Sequence, residues 1–167
     1  SARFGLPWAV YRWIEGEPVA VGSVDDWSRF GADLAAFVAR LHAIPVGGER
    51  RSGALAGYRG GLLQPHDEWV QESLAEIRAL DVAIDVDRLA EIWARGLELP
   101  QPVGEHVWLH TDLKPSNLLA RDGRLAAVID FGGLSIGYPD AEHAPTWDLP
   151  AAARAAYREA LSLDDDV

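Results

Sequence analysis

Two short apolar runs, Asn117-Leu118-Leu119-Ala120 and Leu125-Ala126-Ala127-Val128-Ile129, are separated only by Arg121-Asp122-Gly123-Arg124. An Asp-Gly turn takes positive φ at its central positions and matches the right-handed twist of the strands it joins, so the pair predicts a β-hairpin. The consequence is geometric: Asn117, which opens the hairpin, and Asp130, which closes it, belong at the same end. A dense polar run, His110-Thr111-Asp112-Leu113-Lys114-Pro115-Ser116, stands directly ahead of it.

An amide oxygen and a carboxylate brought together suit Mg²⁺, which takes few protein oxygens and leaves its other octahedral positions to water and phosphates. Asn117 and Asp130 are therefore the expected metal ligands. Asp112 is the expected neighbouring carboxylate, accepting a hydroxyl proton and aiming that hydroxyl at phosphorus. His110 is expected to hold the loop by hydrogen bonds and packing rather than to move a proton.

The rest of the chain reads as mostly helical. Trp8 to Ile14, rich in β-branched and aromatic residues, predicts a strand that stops at Glu15-Gly16-Glu17-Pro18. Ser23 with Asp26 resembles a capping box, and Trp27, Phe30, Leu34, Phe37, Val38 and Leu41 recur at helical spacing, with an end near His42 to Pro45. Six glycines between Pro45 and Gly61 mark a loop. A second helix is expected from Pro65 or Asp67 to Leu80, burying Trp69, Leu74, Ile77 and Leu80. A third should run from Asp85 to Arg95, with Leu89, Ile92 and Trp93 on one side and Gly96 as its stop. Val107-Trp108-Leu109 reads as a short strand, Pro150 to Leu161 as an alanine-rich helix, and Asp164-Asp165-Asp166 as a solvated tail.

Composition narrows the function. With 167 residues and 49% apolar content the chain is one ordinary domain with a real core. Asp and Glu outnumber Lys and Arg by 26 to 15, for a net charge of -11, which argues against a nucleic-acid backbone and leaves room for a cationic small molecule. Without cysteine there is no disulfide, thiolate nucleophile or Cys-ligated metal. No apolar run is long enough to span a membrane and no basic-then-apolar leader opens the chain, so the expected location is the cytoplasm, with no membrane partner. His42, His66, His106 and His143 lack the spacing of a zinc set. No serine sits in a G-x-S-x-G frame, and no glycine run leads into Lys-Ser/Thr.

The central motifs resemble those of the aminoglycoside phosphotransferase family within the protein-kinase-like superfamily. That family carries H-x-D-x-x-x-x-N followed by I-D-F-G at the end of a hairpin, here His110, Asp112, Asn117 and Ile129-Asp130-Phe131-Gly132. Gly137-Tyr138-Pro139 and the Tyr11-Arg12-Trp13-Ile14-Glu15-Gly16-Glu17 junction extend the match. The resemblance implies an α+β fold: a kinase-like C-terminal lobe, mostly helical with a short catalytic hairpin. Residues 1–18 would be interlobe strand and hinge, and 19–167 the lobe, incomplete at its C-terminal end. The family's N-terminal lobe, with its phosphate-covering loop and ATP-positioning lysine, is absent from this chain, which alone is expected to be inactive. Seven tryptophans, no methionine and no initiator suggest either an excised piece or a sequence from which residues are missing.

The implied activity of the intact protein is transfer of the γ-phosphoryl group of ATP or GTP, with Mg²⁺, to a hydroxyl of a small, cationic, aminoglycoside-like acceptor, an antibiotic-resistance chemistry. Asp112 and Lys114 would be catalytic, the Lys114 ammonium offsetting charge on the transferring group. Asn117 and Asp130 would hold the metal-nucleotide, while the Arg12 carbonyl and Ile14 N–H would meet a purine edge. Macrolides, sugars or amino-alcohol metabolites are alternative acceptors. A non-catalytic kinase-like binding protein is a further reading, prompted by Tyr138 and Glu142 at places where the family commonly has Asp; self-association is left open. Glu142 is still expected to accept backbone hydrogen bonds and brace the catalytic loop. Acids at Glu15, Glu17, Asp25, Asp26, Asp140, Glu142 and the Asp164 to Asp166 run would draw a polycation if they face the cleft; Trp147 with Tyr138 there would favour a macrolide or another apolar cation.

Overall fold

The computed structural model describes residues 10–57, 59–80 and 82–163. Strand β1 (Glu17–Pro18) leads to helix α1 (Trp27–His42), helices α2 (Asp67–Arg78) and α3 (Val86–Glu98), strands β2 (Val107–Leu109), β3 (Leu118–Arg121), β4 (Arg124–Val128) and β5 (Ser135–Gly137), and helix α4 (Ala151–Leu161). The mixture is the expected α+β type. Antiparallel strands form two small sheets, β1-β3-β4 and β2-β5.

The hairpin forms where its turn chemistry placed it. Asp122 and Gly123 have φ of 53° and 71°, the left-handed pair that a tight two-residue turn requires. Leu118 pairs with Val128, and the Ile129 N–H donates to the Asn117 carbonyl at 2.9 Å, so Asn117 and Asp130 do share one end.

Beneath the hairpin lies the core. Phe30, Leu34 and Val38 of α1 meet Leu113 from the polar run, Leu118 and Ala120 of β3, Leu149, and Ala153 and Tyr157 of the last helix. Helix α1 comes so close to α4 that a Cβ on Gly31 would lie 2.1 Å from the Ala153 carbonyl oxygen. Burial of this set supplies most of the driving force, at about 25 cal/mol per Å² of apolar surface.

Several local expectations need correction. Trp8 and Ala9 lie outside the described residues, but Val10 to Gly16 carry no strand and are exposed. No described strand runs beside them to take their backbone hydrogen bonds, and strand propensity alone does not make a strand. The cap of α1 is Asp26, whose side chain accepts from the Arg29 N–H at 3.0 Å, whereas Ser23 closes a turn with Ala20 three residues earlier. The third helix starts after its Asp85 cap as expected but runs through Gly96 to Glu98. In α2 only Leu74 is buried; Trp69 is 66% exposed, Leu80 lies beyond the helix on the surface, and in α3 Leu89 and Ile92 are exposed. A 3.6-residue period tells which side chains share a face but not whether anything covers that face. The two helices meet instead through polar contacts, the Trp93 indole donating to Asp67 at 2.7 Å and Arg78 pairing with Asp87 at 2.7 Å. Asp164 to Asp166 lie outside the described residues.

Candidate active site

The polar run between β2 and β3 is a loop fixed from below by a buried acid. Glu142, fully buried in the short turn Pro139–Glu142, accepts the backbone N–H groups of His110 and Thr111, the latter at 2.9 Å. It braces the loop as expected, despite being one methylene longer than Asp. Burial is the main influence on its carboxyl and pushes the pKa up, against the two N–H donors that favour the charged form.

Thr111 has φ 69°, an uncommon conformation for a β-branched residue, costing on the order of 1–3 kcal/mol. Contacts on three sides hold it: Glu142 on its N–H, its own hydroxyl donating to the Gly133 carbonyl at 2.9 Å, and Arg59 donating to its carbonyl. His110 is wholly buried. Its ring takes the Asp112 N–H on Nδ1 at 3.2 Å, contacts the Ile129 carbonyl through Nε2 at 2.9 Å, and packs edge-on against Phe131 with centroids 4.6 Å apart. Burial holds its pKa below the ordinary histidine value, and both ring nitrogens are engaged with backbone, as a loop-holding role requires.

This strained turn presents Asp112, which is partly exposed. Its Oδ2 accepts from Asn117 Nδ2 at 2.8 Å and pairs with Lys114 Nζ at 2.8 Å; its Oδ1 lies 3.9 Å from Arg59 Nη1. The Lys114 ammonium, more than any other neighbour, holds the Asp112 carboxyl below the usual carboxylate range. The same contact raises the lysine. Asn117 also donates from Nδ2 to the Asp112 backbone carbonyl at 2.8 Å. With its nitrogen committed to Asp112, its amide oxygen is the atom left for a cation. Asp130 is exposed at the hairpin end, in the left-handed region at φ 64°, and its Oδ1 accepts a long 3.4 Å bond from the Gly132 N–H.

The structure thus gathers Asp112, Lys114 and Asn117 in direct contact and sets Asp130 at the same hairpin end. Arg12 and Ile14 lie in the exposed, irregular stretch ahead of β1. The donor set fits Mg²⁺ bound with phosphates: one amide and one carboxylate oxygen, and no group of three or more His, Asp or Glu side chains among the described residues that could hold a metal by itself.

Arg59 is the site residue that sequence reasoning missed. It lies in the glycine-rich loop, 52 residues from Thr111, where no local pattern marks it. It also lines a cleft of about 520 Å³ together with Leu62, Leu63, Leu99, Tyr138 and Asp140. A second arginine fixes that loop: Arg51 donates to the carbonyls of Gly57, Arg59 and Ile136, each at 2.9 Å. Of the acids expected at the rim, only Asp140 is among the described residues that line the cleft; Glu142 is buried under the loop and Asp26 caps α1. Tyr138 lines the cleft, while Trp147 does not and instead lies under the Arg154 guanidinium, 5.7 Å from the ring centroid.

A helical lobe that presents an Asp-bearing loop beside a hairpin ending in Asp-Phe-Gly has the architecture of the C-terminal part of kinase-like phosphotransferases. The chain belongs to the phosphotransferase enzyme family APH, whose model matches residues 2–165. Among solved structures it is similar to the macrolide 2'-phosphotransferase MphH from Brachybacterium faecium, at 25% identity and a TM-score of 0.58, covering 91% of this chain and 53% of that one. It is also similar to the GDP and kanamycin complex of APH(2")-IIia, at 22% identity and a TM-score of 0.66, covering 93% and 56%. Among curated proteins, the receptor protein kinase WSS1 of Oryza sativa subsp. japonica is 28% identical over 137 residues, 71% of this chain and 14% of that protein. The chain therefore spans about half the length of the solved structures it resembles and a small part of the curated relative. Among the described residues no helix is long and apolar enough to cross a membrane.

Proposed function

We propose that the intact protein transfers the γ-phosphoryl group of ATP or GTP to a hydroxyl of a small molecule. The observation that carries this reading is Asp112: a carboxylate held ionised on a strained, braced loop, with Asn117 joining it to the hairpin end where Asp130 sits. Asp112 would accept a hydrogen bond from the acceptor hydroxyl and orient that oxygen in line with phosphorus. Lys114 would exchange its Asp112 contact for the transferring group and offset the charge that develops there. Asn117 and Asp130 would hold Mg²⁺, which when bound neutralises the β- and γ-phosphate oxygens. Arg12 and Ile14 would meet the purine through their carbonyl and N–H. A nucleotide-consuming enzyme of this kind is expected in the cytoplasm.

The acceptor expected from family resemblance is aminoglycoside-like, and kanamycin is bound in one solved relative. The cleft supports a second reading. Its leucines, prolines and Tyr138, with Asp140 as the acid among the described lining residues, suit an apolar-bodied hydroxylated molecule carrying one amine better than a polycation. MphH is a macrolide phosphotransferase. Transfer of labelled γ-phosphate by the full-length protein to kanamycin-type, macrolide and neutral sugar acceptors tests both readings. Transfer to the macrolide above the others is the expected result. Nucleotide binding without transfer to any acceptor would instead mark a kinase-like binding protein.

A further inference from the structure

Arg51 ties two parts of the molecule together with one side chain. Its Nη1 donates to the carbonyls of Arg59 and Ile136 and its Nη2 to the carbonyl of Gly57, each at 2.9 Å. Ile136 is buried in β5, whose partner strand β2 ends at Leu109, immediately ahead of the loop that carries Asp112. Arg59, Gly60 and Gly61 line the cleft as one of its walls. The Arg51 guanidinium therefore joins a cleft wall to the sheet that launches the candidate catalytic loop.

That wall has little shape of its own. Gly57, Gly60 and Gly61 lie outside every described helix and strand, and glycine loses more backbone freedom on ordering than any other residue. Two contacts settle it against β5. The Tyr138 N–H donates to the Gly60 carbonyl at 2.9 Å, and the Arg51 guanidinium lies so close to Gly61 that a Cβ there would come within 2.6 Å of Nη2. A guanidinium holds its N–H donors in a rigid planar fork, so the three carbonyls keep one mutual geometry. A lysine ammonium is a compact point charge on a flexible stem and does not reproduce that fork.

We propose that Arg51 is a positioning residue of the acceptor site: by fixing the wall at 59–61 against β5, it sets where an acceptor lies relative to Asp112. This rests on the phosphotransferase reading above and deepens it. The bonds of Arg51 run to the cleft wall and β5, whereas Asn117, at the metal-nucleotide end, bonds to Asp112. Loss of the clamp should therefore be felt by the acceptor and not by the nucleotide.

The test measures KM for Mg²⁺-nucleotide and for the macrolide, kanamycin-type or neutral sugar acceptor that the full-length protein phosphorylates fastest. Arg51→Met should raise the acceptor KM about tenfold or more and leave the nucleotide KM within about threefold, and Arg51→Lys should stay close to Arg51→Met. Gly61→Ala supplies a variant that keeps the arginine. Gly61 has no left-handed backbone, so the added methyl acts by displacing the guanidinium, and the acceptor KM should rise again. Combined with Arg51→Met it should add little, because no guanidinium remains to displace. A merely structural role lowers the folded fraction, and with it kcat, at unchanged KM for both substrates. That pattern overturns the proposal, as does an equal rise in both KM values or an unchanged acceptor KM in Arg51→Lys and Gly61→Ala. Calorimetric binding of the same three acceptors separates the two readings. Binding without turnover sinks the phosphotransferase reading, and the role of Arg51 then stands if Arg51→Lys and Gly61→Ala weaken that binding about tenfold and falls if they do not. A wild type that binds none of the three overturns it.

Discussion

Glu142 carries the candidate catalytic loop on two hydrogen bonds, and its replacement should be felt in both stability and rate. Glu142→Gln keeps one carbonyl oxygen but turns an NH₂ group toward a backbone N–H, leaving a buried donor unmet at a cost of about 1–3 kcal/mol. Urea denaturation should show that loss, and, on the proposed function, kcat of the full-length protein should fall more than tenfold as Asp112 loses its setting. The pH dependence has a definite sign. Burial raises the folded pKa of Glu142, so its contribution is fully present below the ordinary glutamate value of about 4.3 and is lost as pH rises through the folded value. The stability gap between wild type and Glu142→Gln should therefore narrow with rising pH across that window. At this scale the sequence was most informative where contacts are local: Asp112 and Asn117 are five residues apart, and the Asp-Gly turn brings Asp130 to the hairpin end that Asn117 opens. Arg59 reaches the same loop from across the molecule, and nothing in its own neighbourhood encodes that meeting.

At the level of elements, the pairing of α1 with α4 depends on a missing side chain. Gly31→Ala would raise intrinsic helix propensity by about 1 kcal/mol, yet its Cβ would press into the Ala153 carbonyl and backbone. Net destabilisation of about 1–3 kcal/mol is expected, seen as a lower urea midpoint with unchanged slope. The same helix pair encloses a second feature at its far end. His42 lies 6.2 Å from the His143 ring, its Nε2 is buried without a hydrogen bond among the described residues, and His143 Nδ1 meets the buried Tyr157 hydroxyl at 2.9 Å. Burial first, and His143 second, push the His42 pKa down to about 4. A depressed histidine stabilises fully above its unfolded value of about 6.5 and less as pH falls toward the folded one. His42→Phe should therefore be neutral or stabilising at pH 7 and flatten the decline in melting temperature between pH 6.5 and 4. Helix positions followed from periodicity because local spacing sets them. The burial of α2 and α3 did not, since Trp69, Leu89 and Ile92 face no described partner and Trp93 is drawn to Asp67.

For the molecule as a whole, the candidate catalytic loop and the cleft meet at Arg59, in a chain about half as long as its solved relatives. Hairpin, loop and brace carried the architecture in sequence because a kinase-like lobe concentrates them between His110 and Glu142. The cleft stayed hidden because its walls come from segments as distant as Leu62 and Tyr138. Asp112 and Asp130 are assigned separable tasks, one on the acceptor hydroxyl and the other on metal-nucleotide. The direct measurement is phosphoryl transfer and Mg²⁺-nucleotide affinity, side by side, for Asp112→Asn and Asp130→Ala in the full-length protein. Asp112→Asn should lower kcat by about 10²–10⁴-fold while nucleotide affinity stays within about threefold, and Asp130→Ala should weaken Mg²⁺-nucleotide binding itself. Undiminished transfer by Asp112→Asn, together with unchanged Mg²⁺-nucleotide affinity in Asp130→Ala, would contradict the account.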